Sequence, residues 1–86
     1  MASYAVELTP AAERQLDKLA SPARTVIAAA LAALASNPRP PGCTKLAGKD
    51  HLWRVRVLQF CIIYTMIDRR LLVVVVKVGD RRDVYR

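Results

Sequence analysis

The last ten residues concentrate the side chains best suited to chemistry. Lys77, Arg81, Arg82 and Arg86 supply four cations, and Tyr85 supplies a phenol. A guanidinium-rich cluster with few acids suits an anionic ligand, above all a phosphate. Nearby positive charge also favours the phenolate form of a tyrosine, which makes Tyr85 a candidate proton carrier. The alternative is a basic C-terminus that simply faces water.

Two further arginines lie two positions apart in an alternating segment, residues 52–58. The alternation places Arg54 and Arg56 on one face of a predicted strand and Trp53 and Val55 on the other. Buried, unpaired arginines are very costly, so the arginine face should be open or should line a polar site. It is either the solvent face of a half-buried strand or a site shared with the C-terminal cations.

Length and charge restrict the class of partner. The 86 residues suffice for a single domain with one modest core, spanning residues 1–86, and the 53% hydrophobic content argues against disorder. The net charge is +7, of which residues 45–86 carry +6, and ten of the fourteen cations are arginine. Arginine binds phosphate through a planar fork, so an RNA, DNA or acidic protein partner is favoured over a neutral small molecule.

Several function classes are disfavoured. Cys43 and Cys61 lie far apart and His51 is the single histidine, so neither a metal site nor a cofactor is predicted. His51 is expected in a loop before a strand, as a surface residue rather than a catalytic one. The N-terminus lacks an export-signal pattern, and the longest uncharged stretch, residues 25–38, is too short to span a bilayer. A cytoplasmic protein without membrane association is therefore expected.

Hydrophobic periodicity predicts an α+β fold. Thr9-Pro10 and Ser21-Pro22 are cap-plus-proline signals that begin two helices, and the prolines after Asn37 end the second. The predicted elements are a strand over 3–8, helices over 10–20 and 21–36, and strands over 52–58, 60–67 and 71–78, with a polar turn at 68–70. This order, β-α-α-β-β-β, predicts a small single-domain sandwich with a helical hairpin packed on a mainly antiparallel four-stranded sheet.

Metal-free RNA cleavage is compatible with these side chains. The sequence offers no nucleophile triad and no paired carboxylates, but RNA supplies its own nucleophile, the 2′-hydroxyl beside the scissile phosphate. The protein then contributes orientation, proton transfer and stabilisation of the phosphorane charge. Cations and a phenol suffice for those tasks.

The chain resembles the RelE/ParE superfamily of bacterial and archaeal toxins over nearly its whole length. The segments that carry the resemblance are the helical hairpin, Lys45-Leu46-Ala47-Gly48, Trp53-Arg54-Val55-Arg56-Val57, Ile62-Ile63-Tyr64 and residues 73–85, which end in Val78-Gly79-Asp80-Arg81-Arg82-Asp83-Val84-Tyr85. The closing pattern looks like the RelE branch. The ParE branch, which targets DNA gyrase, shares the fold.

The resemblance implies a ribosome-dependent mRNA endonuclease that needs no metal and cuts by the 2′-hydroxyl route. It also implies a cognate antitoxin, encoded nearby, in a hetero-oligomer with the toxin. The implied catalytic residues are Arg54, Arg56, Arg81 and Tyr85. In the family, the cation at Arg81 supports the leaving group and the phosphate, and the tyrosine at Tyr85 orients or stacks on the RNA. The implied RNA-binding residues are Lys45, Lys49, Arg82 and Arg86.

The chain departs from the nuclease pattern in two ways. RelE-like nucleases usually carry lysines where this chain has Arg54 and Arg56, and arginine is a poor general base. Cys61 stands where the family has a phosphate-binding arginine, and the expected substitutes are Arg69, Arg70 or Arg82. Two other readings therefore stay open: a ParE-like gyrase inhibitor, and a catalytically weakened homologue that mainly binds its antitoxin and represses its own operon.

Overall fold

The computed structural model describes residues 3–80 and residue 82. The elements in chain order are β1 (Ala5–Leu8), α1 (Pro10–Asp17), α2 (Ser21–Ser36), β2 (Thr44–Leu46), β3 (Lys49–Val57), β4 (Phe60–Ile67), a short 3-10 helix (Asp68–Arg70) and β5 (Leu72–Asp80). The predicted helical hairpin on a mainly antiparallel sheet is confirmed. The sheet has five strands rather than four, because β2 was not predicted.

The strand order in the sheet is β1-β5-β4-β3-β2. Strand β1 runs parallel to β5, and the other three pairs are antiparallel. A parallel pair needs a long crossover connection, and here the chain between β1 and β5 includes both helices. Strand β2 has three residues at the sheet edge, which is too short for an alternating pattern to be recognised in the sequence.

The helix ends follow local capping chemistry. The Thr9 hydroxyl accepts a hydrogen bond from the Ala12 amide at 3.2 Å, and Pro10 occupies the first turn, so the predicted cap of α1 is confirmed. Helix α1 ends at Asp17, three residues earlier than predicted. The N-cap of α2 is Ala20 rather than Ser21, which is already the first helical residue.

The main core lies between the helices and one face of the sheet. Its fully buried side chains include Ile27 and Leu34 from α2, Ile62 and Tyr64 from β4, and Val73 and Val75 from β5. Burying each large aliphatic side chain contributes about 1.5–3 kcal/mol. A smaller cluster on the opposite face joins Cys61 and Ile63 to Leu46, Leu52 and Val76. The face that bears Cys61 and Ile63 is called the helix-free face below.

Two contacts hold the proline-rich segment after α2 against the sheet. The Tyr64 hydroxyl, which is fully buried, donates to the Pro38 carbonyl at 2.7 Å. Nearer the surface, Arg39 Nη2 lies 2.9 Å from Asp68 Oδ2, and the Tyr4 hydroxyl donates to Asp68 Oδ1 at 2.7 Å. Burial raises the pKa of the Tyr64 phenol, which keeps it protonated as a structural donor.

Among the described helices, none combines the length and apolar character needed to cross a membrane.

The buried phenol leads to a stability prediction. Tyr64→Phe removes the hydroxyl and leaves the Pro38 carbonyl without this hydrogen-bond donor. The loss should lower the free energy of unfolding by about 1–3 kcal/mol. Urea denaturation measures the loss. The matched control is Tyr4→Phe, which removes an exposed hydroxyl and should cost less. Equal losses for the two variants would contradict the structural role of the Tyr64 hydroxyl.

The carboxylate at Asp68 leads to a pH prediction. Hydrogen bonds from Arg39 and Tyr4 hold the pKa of Asp68 below its ordinary value. The resulting stabilisation is present above the unfolded-state pKa of about 3.9 and is lost as the pH falls through the folded-state value. The wild type should therefore exceed Asp68→Asn in stability at neutral pH, and the difference should shrink below about pH 4. Thermal melts across this range test it, and a constant difference would be contrary to expectation.

Candidate functional site

A row of side chains crosses the helix-free face from β2 to β5. Thr44 pairs with Arg54, Arg54 with Ile63, and Ile63 with Lys77. Register partners project to the same face of a sheet. A basic side chain therefore stands on each side of β4, with Ile63 between them.

A second row lies beside the first, towards the start of β4. Arg56 pairs with Cys61, and Cys61 pairs with Gly79. Cys61 is 2% exposed, and Gly79 has no side chain. The second row is therefore shallow next to Arg56, since its other two members do not rise far above the backbone. The prediction that Arg54 and Arg56 share a face opposite Trp53 is in accord with this register.

A cleft of about 320 Å³ lies on this face. Strands β2 to β4 contribute Thr44, Arg54, Arg56 and Cys61 to its lining, and the turn at residues 41–42 closes one side. The Arg54 Nε donates to the Thr44 hydroxyl at 2.9 Å. This hydrogen bond fixes the orientation of the Arg54 guanidinium at the cleft wall.

Two contributors to the cleft lay outside the candidate residues of the sequence. Thr44 belongs to the short strand that gave no periodic signal. The Pro41-Gly42 dipeptide, by contrast, is a recognisable turn signal. Gly42 has φ +89°, a conformation that a residue with a side chain rarely adopts.

Helix α1 holds the end of β5 in place. Strand β1 pairs with β5 no further than Leu8 with Val75. Beyond that point the Gln15 Oε1 accepts a hydrogen bond from the Val78 amide at 2.8 Å. A backbone donor left without a neighbouring strand is satisfied in this way, and the segment that carries Lys77 and Gly79 is thereby positioned.

Of the predicted RNA-binding lysines, the structure places the side chain of Lys45, which is not grouped with Arg54. Lys45 pairs with Trp53, and its Nζ lies 5.4 Å from the centroid of the Trp53 ring. Trp53 packs against the main core, so Lys45 projects to the side opposite the arginine pair. Lys49 begins β3, but its side chain lies outside the described part of the structure. His51 is an exposed residue within β3 rather than in a loop.

The C-terminal cations begin beside the second row. Asp80, the last residue of β5, pairs with Phe60. The Arg82 Nε lies 3.2 Å from Asp80 Oδ1, and the Arg82 amide donates to the same oxygen at 2.9 Å. Arg82 is thus located at the end of the sheet where Cys61 lies. Arg81, Tyr85 and Arg86 lie outside the described residues.

Two of the expected substitutes for an arginine at position 61 are in the wrong place. Arg69 and Arg70 form the 3-10 helix after β4, whereas Cys61 is at the opposite end of that strand. At about 3.4 Å per residue, the distance along the strand is roughly 20 Å. The expectation that Arg69 or Arg70 compensates for Cys61 is therefore wrong, and Arg82 is the remaining one of the three.

The arrangement is suited to holding an anion. Arginines in the cleft wall offer charge-assisted hydrogen bonds to phosphate oxygens. The described residues that line the cleft include neither a histidine nor a carboxylate. No group of three or more His, Cys, Asp or Glu side chains that could hold a metal ion occurs within the described ranges.

Comparison with protein families gives a match over residues 6–85 to the model described as ParE toxin of type II toxin–antitoxin system, parDE. The chain belongs to this toxin family. Helices on a five-stranded mixed sheet are also the fold of RelE structures, so the superfamily that the sequence resembles is confirmed. A search of curated protein sequences finds no match.

Solved structures match the toxin over nearly its whole length. The toxin–antitoxin complex RelBE2 from Mycobacterium tuberculosis matches with a TM-score of 0.84 and 25% identity, covering 96% of this chain and 97% of the other. The isolated E. coli RelE toxin matches with a TM-score of 0.79 and 25% identity, covering 96% and 92%. The RelE–RelB complex from Pyrococcus horikoshii matches with a TM-score of 0.81 at 20% identity, covering 94% and 98%. At this identity, the similarity to the P. horikoshii complex is one of fold.

The buried position of Cys61 leads to a prediction. Cys61→Arg places a long cation directly opposite Arg56, where like charges destabilise a strand pair. Overpacking of the site adds a cost of about 1–3 kcal/mol. The matched control is Cys61→Met, which adds length without charge.

Thermal melts at low and high salt separate the two costs. The deficit of Cys61→Arg relative to Cys61→Met should shrink as salt screens the repulsion. A deficit that does not respond to salt would show that charge repulsion is not the cause.

Proposed function

We propose that this toxin is a ribosome-dependent mRNA endonuclease that cleaves through attack of the RNA 2′-hydroxyl on the adjacent phosphate. The observation that supports it is the cleft on the helix-free face, which is lined by Arg54 and Arg56, with Cys61 opposite Arg56. Two guanidiniums at one cleft wall match the charge that accumulates on a phosphate during this reaction.

The roles of the arginines follow from their chemistry. Arginine remains protonated at all accessible pH values, so Arg54 and Arg56 bind the phosphate and stabilise its charge but do not remove a proton. Proton transfer is assigned to Tyr85, because nearby cations favour the phenolate form of a tyrosine. Arg81 supports the leaving group, as the family resemblance implies. Lys49, Arg82 and Arg86 are assigned to RNA binding, whereas Lys45 would bind RNA from the opposite side of the sheet.

The second partner that we propose is a cognate antitoxin. The related M. tuberculosis, E. coli and P. horikoshii structures are toxin–antitoxin complexes. The net charge of +7 favours an acidic or amphipathic segment wrapped around the toxin in a hetero-oligomer. An antitoxin gene next to the toxin gene and a cytoplasmic location belong to the same proposal.

Inhibition of DNA gyrase is the second candidate function, and two observations favour it. The family model that matches is named for ParE, and Cys61 occupies the position of a phosphate-binding arginine in RelE-like nucleases. A toxin that acts by binding a protein target needs no proton carrier. A weakened homologue that mainly binds its antitoxin is the remaining outcome.

Induced expression in a bacterial host discriminates these functions. The toxin alone should arrest growth, and co-expression of the neighbouring gene should restore it. Mapping of mRNA 5′ ends should reveal new cuts within translated codons, and the upstream fragments should end in 2′,3′-cyclic phosphate. Fragments ending in a 3′-hydroxyl would contradict the mechanism. Growth arrest with intact mRNA and inhibited DNA supercoiling would establish the gyrase function instead.

Variants of the arginine pair test the site. Each charge-assisted contact to a phosphate is worth about 1.5–3 kcal/mol, which corresponds to roughly a ten- to hundred-fold change in rate. Arg54→Gln and Arg56→Gln should therefore each slow cleavage on purified ribosomes by that factor. Arg14→Gln and Arg24→Gln, which remove exposed arginines from α1 and α2, are the matched controls. Equal rates for all four variants would place the active site elsewhere.

A further inference from the structure

Lys77 is brought to the arginine face by the pairing of β4 with β5. It is the one cation of β5, and the bulge between Ile63 and Tyr64 sets its register. Val75 and Val78 belong to the main core, whereas Val76 packs against the cluster on the helix-free face. Lys77 pairs with Ile63 and is half-buried, so it projects to the helix-free face as well.

The spacing of the first row places two cations on opposite sides of β4. Neighbouring strands lie about 4.8 Å apart, so the backbones of Arg54 and Lys77 are about 10 Å apart across Ile63. The Thr44 hydroxyl holds the Arg54 Nε at 2.9 Å on the β2 side. A ligand lying over Ile63 and Cys61 would therefore meet a guanidinium on one side and an ammonium on the other.

The two rows together concentrate positive charge. Their seven residues include Arg54, Arg56 and Lys77 and no carboxylate. A polyanion that crosses such a surface gains free energy by releasing its counterions. Between the cations, Ile63 and Cys61 are 4% and 2% exposed and pack against Leu46, Leu52 and Val76. A nucleic acid backbone that crosses β4 would therefore contact mainly the longer side chains on either side of them.

We propose that Lys77 is a phosphate-binding residue of the helix-free face, and that single-stranded RNA crosses the sheet from the Thr44–Arg54 side to Lys77. This inference rests on the proposed RNA-binding function of the same face. In the sequence, Lys77 is simply one of several C-terminal cations. Its position on the helix-free face gives it a specific phosphate-binding role. It also gives the RNA a direction, across the strands rather than along them.

Fluorescence anisotropy of a labelled oligouridine with the purified chain, at several KCl concentrations, tests the assignment. Loss of one phosphate contact to a single strand lowers the slope of log K against log[KCl] by about 0.7. Lys77→Gln should show that decrease, and Lys77→Arg should keep the wild-type slope. Arg24→Gln, which removes one exposed charge from α2, should leave the slope unchanged. Thermal melts confirm that each variant is folded.

The outcomes separate the two proposals. A normal slope for Lys77→Gln together with a reduced slope for Arg54→Gln would overturn the role of Lys77 and leave the RNA-binding face in place. Normal slopes for both variants, or the absence of salt-dependent binding by the wild type, would overturn the RNA-binding face itself. An equal decrease for Arg24→Gln would show that the effect reflects net charge, and it would also overturn the assignment of Lys77.

Discussion

The burial of one sheet face beneath two helices is the constraint on which the rest of the structure depends. A domain of this size has one main core. Here that core lies between the sheet and the helices α1 and α2, which cover one face of the sheet. The alternation of side chains along β4 then sends Ile62 and Tyr64 into the core and Cys61 and Ile63 to the other face. The proposed phosphate-binding site lies on this second face, whose apolar cluster is small and whose surroundings are basic.

The helix-free face is shaped by contacts that originate elsewhere in the molecule. The buried hydroxyl of Tyr64 holds the proline-rich segment at Pro38, and that segment leads to the turn at residues 41–42 on the side of the cleft. Gln15 holds the backbone of β5 at Val78. The core side of the sheet therefore fixes both the loop and the strand that border the opposite side.

The charge pattern suits recognition of a phosphate backbone better than recognition of a base. The cationic side chains of Arg54, Arg56 and Lys77 attract the phosphates of a nucleic acid whatever its base sequence. The aromatic ring of Trp53 contacts two cations, since Arg39 and Lys45 lie 5.6 and 5.4 Å from its centroid. An aromatic ring already in contact with two cations contributes to the stability of the sheet edge.

The sequence by itself determined the local elements and the face of the arginines. Capping residues, prolines and alternation are short-range signals, so Thr9-Pro10 and the helix-ending prolines were interpreted correctly, and Arg54 and Arg56 were placed together opposite Trp53. The resemblance to toxins was likewise present in the sequence, because its motifs are spread from the helical hairpin to Tyr85.

Only the tertiary structure decided which distant residues meet. Strand β2, the Thr44–Arg54 hydrogen bond and the position of Lys77 depend on pairing between segments many residues apart, and a strand of three residues carries no periodic signal. The same pairing separated Lys45 from the arginines and placed Arg69 about 20 Å from Cys61. Register, unlike periodicity, is set by how strands fit against one core, and a linear pattern does not record that fit.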